Sequence, residues 1–544
     1  MKTKQTDELL AKDEQYVWHG MRPFSPNSTM VGAKAEGCWV EDIQGKRYLD
    51  GMSGLWCVNS GYGRKELAEA AYKQLQTLSY FPMSQSHEPA IKLAEKLNEW
   101  LGGEYVIFFS NSGSEANETA FKIARQYYAQ KGEPHRYKFM SRYRGYHGNT
   151  MATMAATGQA QRRYQYEPFA SGFLHVTPPD CYRMPGIERE NIYDVECVKE
   201  VDRVMTWELS ETIAAFIMEP IITGGGILMP PQDYMKAVHE TCQKHGALLI
   251  SDEVICGFGR TGKAFGFMNY DVKPDIITMA KGITSAYLPL SATAVKREIY
   301  EAFKGKGEYE FFRHINTFGG NPAACALALK NLEIMENENL IERSAQMGSL
   351  LLEQLKEEIG EHPLVGDIRG KGLLVGIELV NDKETKEPID NDKIASVVNA
   401  CKEKGLIIGR NGMTTAGYNN ILTLAPPLVI SSEEIIMMQK RAREVLVGND
   451  VQDYLLEIIE ATRKHELIEI GVSPRGTLAF MRAIQARAIL NERDYCTPDD
   501  IKTLAASVCA HRLTLTIEGE MKTTKEQIMR EILHTINVPV ENIR

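Results

Sequence analysis

An α/β fold carrying a smaller α+β unit and an all-helical C-terminal extension is predicted by three features of the sequence. Short apolar runs without polar alternation recur: Val106-Ile107-Phe108-Phe109, Ala214-Ala215-Phe216-Ile217-Met218, Ala247-Leu248-Leu249-Ile250 and Ile276-Ile277-Thr278-Met279. Such runs mark strands of a sheet buried on both faces. Between the second and third, residues 233–245 place apolar side chains at helical intervals, which gives the alternation of α/β architecture. Beyond residue 330 helices and short strands mix, and past Glu433 the texture is nearly all helical and charged.

Taken in order, residues 1–60 mix aromatic and glycine punctuation and predict an N-terminal arm that packs on another part of the chain. Residues 61–325 hold the alternating pattern and form the large α/β domain. A long amphipathic helix over residues 324 to about 358 opens a small α+β domain spanning 326–433. Its strands are predicted at 373–380 and 421–424, with a helix at 391–404 between them. Residues 434–544 make the helical remainder. No internal repeat or low-complexity segment interrupts the chain.

At 544 residues the chain has room for roughly three or four domains. Its 43% hydrophobic and 25% charged residues exclude collagen-like, mucin-like and wholly disordered chains. A net charge of −10 does not favour nucleic acid as a partner. The ten cysteines form no CxxC pair and no Cys/His cluster with zinc spacing, so no metal site is expected. Scattered single cysteines read as buried thiols in a reducing compartment. No apolar segment follows Met1 to Glu8, and no apolar run approaches the ~20 residues of a membrane helix. A cytoplasmic protein with no membrane association is expected.

Three motifs carry chemistry. Ser112-Gly113-Ser114-Glu115-Ala116-Asn117 follows a strand and opens a helix. It reads either as an ordinary serine-capped helix or as a phosphate site at the positive helix end. Ser251-Asp252-Glu253-Val254 ends a buried strand, where open α/β sheets place ligands, although acids there also cap helices. Lys281, in Met279-Ala280-Lys281-Gly282, ends another apolar strand. Such a lysine is either a snorkelling surface residue or, where burial lowers its pKa, an amine nucleophile. Phosphate cradle, carboxylate and apolar lysine together have one common explanation, pyridoxal phosphate. The helix start takes the phosphate, the carboxylate keeps the pyridine nitrogen protonated, and the lysine forms the Schiff base.

Over residues 10 to about 433 the sequence resembles the class III, or ω-aminotransferase, family of fold-type I pyridoxal-phosphate enzymes. The resemblance rests on Leu249-Ile250-Ser251-Asp252-Glu253-Val254, Gly257-Phe258-Gly259-Arg260-Thr261-Gly262, Asp275 and Lys281. It implies a catalytic Lys281 and an Asp252 paired with the pyridine nitrogen. Val254 on one ring face and Tyr146 on the other would sandwich the cofactor. Ser112, Gly113 and Ser114 would hold the phosphate, and Glu219, of Glu219-Pro220, would lie beside cofactor and substrate. It also implies a homodimer in which Thr317, within His314-Ile315-Asn316-Thr317-Phe318, reaches the phosphate of the partner subunit. The expected reaction moves an amino group from a small-molecule amine donor to an oxo-acid acceptor.

Gly257 to Lys263 also matches the first seven positions of a phosphate-binding P-loop. Ala264 stands where Ser or Thr would hold magnesium, so the stretch reads as a glycine-rich loop and ATP binding is not expected. For the donor, Gly54-Leu55-Trp56 matches the ω-amino-acid:pyruvate branch, although Trp56 also reads as a core residue. The biotin-pathway diaminopelargonate branch tends to carry two adjacent tryptophans there. Arg410 falls near the position of the branch's carboxylate-binding arginine. The expected donor is a β-alanine- or taurine-like amine and the expected acceptor is pyruvate or another oxo acid. The alternatives are diaminopelargonate aminotransferase and an aminomutase.

From about 435 onward the chain resembles the C-terminal lid of MoxR-type AAA+ ATPases. The matching residues are Asp453-Tyr454, Ala461-Thr462-Arg463, Gly471-Val472-Ser473-Pro474-Arg475, Arg493-Asp494-Tyr495, Thr497-Pro498-Asp499-Asp500 and His511-Arg512. No ATPase core precedes it. The lid is therefore read as an orphan helical bundle joined by a fused reading frame. An inactive fusion product, or an ATP-driven chaperone, are the readings this leaves beside the enzyme. The helix over 432–447 is expected to serve as the last helix of the small domain.

Overall fold

The computed structural model describes residues 2–21, 29–184, 192, 195–411, 414–443, 449–490, 493 and 496–536. Its centre is a seven-stranded sheet in the order Tyr105–Ser110, Ser291–Lys296, Ile276–Met279, Leu248–Asp252, Ile213–Met218, Lys138–Arg142, Phe173–Val176. The second strand in that order runs antiparallel to both neighbours. The five beyond it pair in parallel. Every residue of Ile213–Met218, Leu248–Asp252 and Ile276–Met279 is buried, as the unalternating apolar runs require.

Helices cover the sheet because their apolar residues recur every three to four positions. Helix Tyr234–Lys244 buries Tyr234, Met235, Ala237, Val238, Thr241 and Cys242. Helix Gly113–Gln130 buries Ala116, Ala120, Ile123, Ala124 and Tyr128. The parallel strands all point the same way, so their carboxyl ends line one edge of the sheet. Ser110, Arg142, Met218, Asp252 and Met279 end there, and each leads into a segment singled out above.

Two four-stranded sheets flank this core. Val365–Gly370, Val375–Leu379, Ile421–Leu424 and Gly409–Arg410 form one; Gly32–Glu36, Trp39–Asp42, Arg47–Asp50 and Leu406–Ile407 form the other. In the second, Leu406–Ile407 pairs in parallel with Arg47–Asp50, so the N-terminal arm is stitched to sequence about 360 residues away. The helix expected to run unbroken over 324–358 is two helices, Pro322–Asn337 and Leu340–Ile359. The break is Asn339, which adopts a left-handed conformation with φ 51°. Asparagine tolerates that region as a single residue, and helical periodicity does not register it.

Helix Ser432–Arg443 begins with a reciprocal cap. The Glu434 N–H donates to Ser431 Oγ at 3.2 Å, and the Ser431 N–H donates to Glu434 Oε2 at 2.9 Å. The Trp39 indole N–H donates to Glu434 Oε1 at 2.7 Å, tying this helix to the N-terminal sheet. The expected helix end at Val447 lies outside the described residues.

The C-terminal helices Asn449–Lys464, Pro474–Leu490, Pro498–Cys509 and Lys525–Thr535 enclose their own apolar core around Leu455, Ile458, Phe480, Ile484, Ile501 and Ile528. A short antiparallel ribbon, Ile468–Ile470 with Thr514–Leu515, adds a β element to the expected all-helical unit. The motifs of this segment build its frame. Thr497 and Asp500 form a capping box, and the Arg493 guanidinium grips both Asp500 oxygens at 2.9 and 2.7 Å. Thr462 Oγ1 accepts the Val472 N–H at 3.1 Å, and Arg463 Nε donates to the Val472 carbonyl at 2.9 Å. Arg475 is exposed on the first turn of its helix, and Asp494 and Tyr495 lie outside the described residues. Helix Pro474–Leu490 packs on Asn391–Glu403, with an Arg482–Glu358 ion pair at 3.6 Å beside it. Among the described residues no helix is long and apolar enough to cross a membrane.

Candidate active site

The carboxyl edge of the central sheet gathers most of the residues singled out in the sequence. Asp252 ends its strand almost fully buried, with three donors around its carboxylate. The Asn117 amide donates to Oδ2 at 2.8 Å, His147 Nδ1 lies 2.8 Å from the same oxygen, and the Val254 N–H donates to Oδ1 at 3.1 Å. Asn117 is fixed in turn by donating to the His147 carbonyl and accepting from the Thr278 hydroxyl, each at 2.7 Å. The sequence reading missed Asn117 and His147. The one available signal was their place inside motifs already quoted, Asn117 closing the serine–glycine segment and His147 following Tyr146.

Ser112 caps helix Gly113–Gln130, its hydroxyl accepting the Glu115 N–H at 3.2 Å while the Glu115 carboxylate accepts the Ser112 N–H. That oxygen is the acceptor of the cap, so the Ser112 O–H and the backbone N–H groups of the helix start remain as donors an anion can meet. Ser114 Oγ pairs with Asn149, donating to Oδ1 at 2.9 Å and accepting the Asn149 N–H at 3.1 Å. Two glycines keep this corner open. A Cβ on Gly113 would lie 2.9 Å from both Val254 methyls, and one on Gly148 would lie 2.6 Å from Ser114 Oγ. Gly148 also has φ +142°, a conformation that side-chain-bearing residues rarely adopt.

Glu219 follows Met218 at the next strand end and is buried. Its carboxylate accepts the Tyr146 N–H at 3.1 Å, the Thr223 N–H at 3.0 Å and the Thr223 hydroxyl at 2.5 Å. Burial raises its pKa, and nearby His147 opposes the shift. Lys281 opens a turn with φ 46°, and its Nζ donates to the Leu55 carbonyl at 3.2 Å. The same Nζ lies 5.4 Å from the Trp56 ring centroid. Burial lowers the Lys281 pKa, while Cys57, Asp252 and Glu219 pull it back. Trp56 sits on a turn where Ser53, Gly54 and Trp56 all have positive φ, and its buried indole N–H has no hydrogen-bond partner.

Two expected residues stand apart from this cluster. Thr317 is exposed, its carbonyl accepting the Tyr80 hydroxyl at 3.0 Å. Arg410 is exposed on its short strand and donates to the Asn391 carbonyl at 3.4 Å. The glycine-rich loop has a structural occupant. Arg260 is fully buried and donates to Leu373 O (3.0 Å), Pro426 O (2.5 Å), Ser53 Oγ (3.0 Å) and Asn59 Oδ1 (2.9 Å). Burial lowers its pKa to about 10.

A buried carboxylate, a desolvated lysine and a helix start kept clear by two glycines form a donor set that fits an aromatic cation carrying a phosphate. Comparison with known proteins agrees. A family profile described as Aminotransferase class-III matches residues 22–446, and one described as AAA lid domain matches residues 460–532. The first match runs through helix Ser432–Arg443, so that helix belongs with the aminotransferase part. The chain is 66% identical over 441 residues to the uncharacterized aminotransferase YhxA of Bacillus subtilis, covering 81% of this chain and 97% of that protein. It is 43% identical over 431 residues to a taurine–pyruvate aminotransferase of Bilophila wadsworthia, covering 79% of this chain and 94% of that one. A solved Bacillus anthracis aminotransferase superposes with TM-score 0.80 at 98% identity, covering 81% of this chain and 98% of that one. The chain therefore belongs to the class III aminotransferases, fold-type I enzymes that use pyridoxal 5′-phosphate, and carries an AAA lid domain after that unit.

Proposed function

We propose that this enzyme takes the amino group of a short ω-amino acid or related amine, of the β-alanine or taurine type, and delivers it to pyruvate or another oxo acid. The observation that carries the reading is the join of Lys281 to the Gly54-Leu55-Trp56 turn, where the amine that exchanges with donor faces an aromatic wall. The taurine–pyruvate relative supports the donor class. Leu55, in place of a first tryptophan, disfavours the diaminopelargonate reading.

Pyridoxal phosphate, when bound, supplies an electron sink for the C–H bond at the donor carbon that bears the amine. The chain's residues do the rest. Lys281, its amine made less basic by burial, would yield its place to the donor amine and then move the proton from that carbon as general base. Asp252, held by Asn117 and His147, keeps a negative charge at the pyridine nitrogen. Val254 and Tyr146 flank the ring plane, and Ser112, Gly113, Ser114 and the helix start take the phosphate. Glu219 fixes the Tyr146 backbone and lies beside the substrate, and Trp56 borders the donor, while Arg410 stands apart from these residues.

We further assign the working unit as a homodimer in a reducing, cytoplasmic compartment, with Thr317 reaching the partner's phosphate. Leu55 and Phe318 are 76% and 64% exposed next to Lys281 and Thr317, an apolar surface of the kind subunits cover. All ten cysteines are free thiols. The test is the visible spectrum of purified protein before and after β-alanine or taurine, beside Lys281→Ala. Loss of the cofactor band in the wild type but no turnover in the variant supports the reading. A colourless protein that cannot be reconstituted refutes it and favours the inactive fusion.

A further inference from the structure

We propose that Arg162 binds the anionic end of the amine donor and thereby selects short amines that carry a sulfonate or carboxylate. The proposal rests on the reading of Lys281 as the residue that exchanges with donor amine.

Arg162 lies in the short helix Ala160–Arg163, and its guanidinium stands 4.9 Å from the centroid of the Tyr146 ring. It is half-buried, and its Nε is buried without a hydrogen-bond partner. Nη1 meets only the Met21 sulfur, a weak acceptor, at 3.4 Å. Among the described residues no carboxylate forms an ion pair with it. Its neighbour Arg163 is neutralised, pairing with Glu167 at 2.8 Å and stacking on Phe169. Both arginines leave a buried Nε unpartnered, and they differ in one respect that matters: among the described residues Arg162 is a partly desolvated cation with no counter-ion. Such a group is costly unless an anion meets it.

The anion has to arrive beside the Tyr146 ring, at the edge of the sheet where Lys281 follows the strand end Met279. Tyr146, which carries Arg162 on its ring, has its N–H anchored to Glu219 at the same edge of the sheet. A guanidinium fork takes two oxygens of a carboxylate or sulfonate at once. The same charge repels diamines, whose far end is cationic. Arg410, exposed and resting on the Asn391 carbonyl, is the competing anion receptor.

The test is donor half-reaction kinetics on the cofactor-loaded full chain with taurine, β-alanine and uncharged propylamine, for wild type, Arg162→Ala, Arg162→Lys and Arg410→Ala. Calorimetric binding of ethanesulfonate, which has no amine to react, is measured on the same proteins. In Arg162→Ala the preference for taurine and β-alanine over propylamine falls about 10- to 100-fold, chiefly through KM, and ethanesulfonate binding weakens by a similar factor. Arg162→Lys recovers part of both. An unchanged preference, an equal loss of all three donors, or a loss confined to Arg410→Ala overturns the assignment. Wild type inert toward every amine overturns the proposed reaction instead, while the ethanesulfonate measurement still decides the fate of Arg162.

Discussion

Gly113 can be tested as the residue that sets the width of the cofactor slot. An alanine Cβ there would lie 2.9 Å from both Val254 methyls, whereas carbon pairs settle at about 3.5–4.0 Å. Val254 must therefore move by several tenths of an ångström, but its N–H is held to Asp252 Oδ1 at 3.1 Å. Overpacking of this kind costs about 1–3 kcal/mol. If the strain falls on the cofactor-loaded state, Gly113→Ala weakens pyridoxal phosphate roughly 5- to 150-fold. Affinity is read by fluorescence titration of apoprotein, and a thermal melt of the apoprotein locates the strain. Val254→Ala removes the methyls, so the double variant recovers at least about 1 kcal/mol in a double-mutant cycle. Wild-type affinity in Gly113→Ala, or a double variant no better than the single, would sink the argument.

Four further outcomes follow from the geometry. Lys281→Ala lowers turnover by at least about 10²–10⁴-fold through loss of the general base. In wild type the rate of cofactor capture by apoprotein rises with pH around a midpoint below that of an ordinary lysine, because burial lowers the Lys281 pKa. A midpoint at or above about 10.4 contradicts this. Burial raises Glu253 to about 7, although its carboxylate accepts the Gly266 and Phe267 N–H groups at 2.7 and 2.8 Å. The unfolded carboxyl titrates near 4.3, so between these values the native state binds more protons and stability falls as pH rises, by up to about 4 kcal/mol. Melts of Glu253→Gln between pH 5 and 8 should lose that decline; an identical slope in both proteins rejects it. Finally, a chain ended after residue 446 should load cofactor as the full chain does, measured by absorbance, since the family match stops there and 81% of this chain covers 98% of the solved relative. Loss of loading would show that the lid has become part of the fold.

Lys281 and Asp252 were legible as candidates because each is one reactive residue at the end of one apolar strand. Their supporting shell was not. The Asn117–Asp252 bond joins residues 135 apart, and no periodicity encodes such a pairing. Arg162 reads in sequence as one of two basic residues on a polar turn, and only the fold separates it from Arg163. The parallel pairing of Leu406–Ile407 with Arg47–Asp50 escaped because a two-residue strand has no pattern to show. The break at Asn339 escaped because one left-handed residue costs asparagine little. Anion selection was sought at Arg410 by resemblance, whereas burial and the missing counter-ion single out Arg162.

The buried Arg260 guanidinium bears on how the protein is made. Its four acceptors, at Ser53, Asn59, Leu373 and Pro426, come from three distant stretches of chain. The strand over 47–50 likewise waits for residues 406–407. At about 5–20 residues per second, a ribosome needs roughly 20–70 s to travel from the first partner to the last. Through most of that interval the nascent amino-terminal arm has an open strand edge, and for about its first half Ser53 and Asn59 have no cation. Residue 426 must clear the exit tunnel before the turn bearing Trp56 can lock. Slow decoding or premature release upstream of that point should therefore leave aggregation-prone chains, even though the segments carrying Ser112, Asp252 and Lys281 have already been translated.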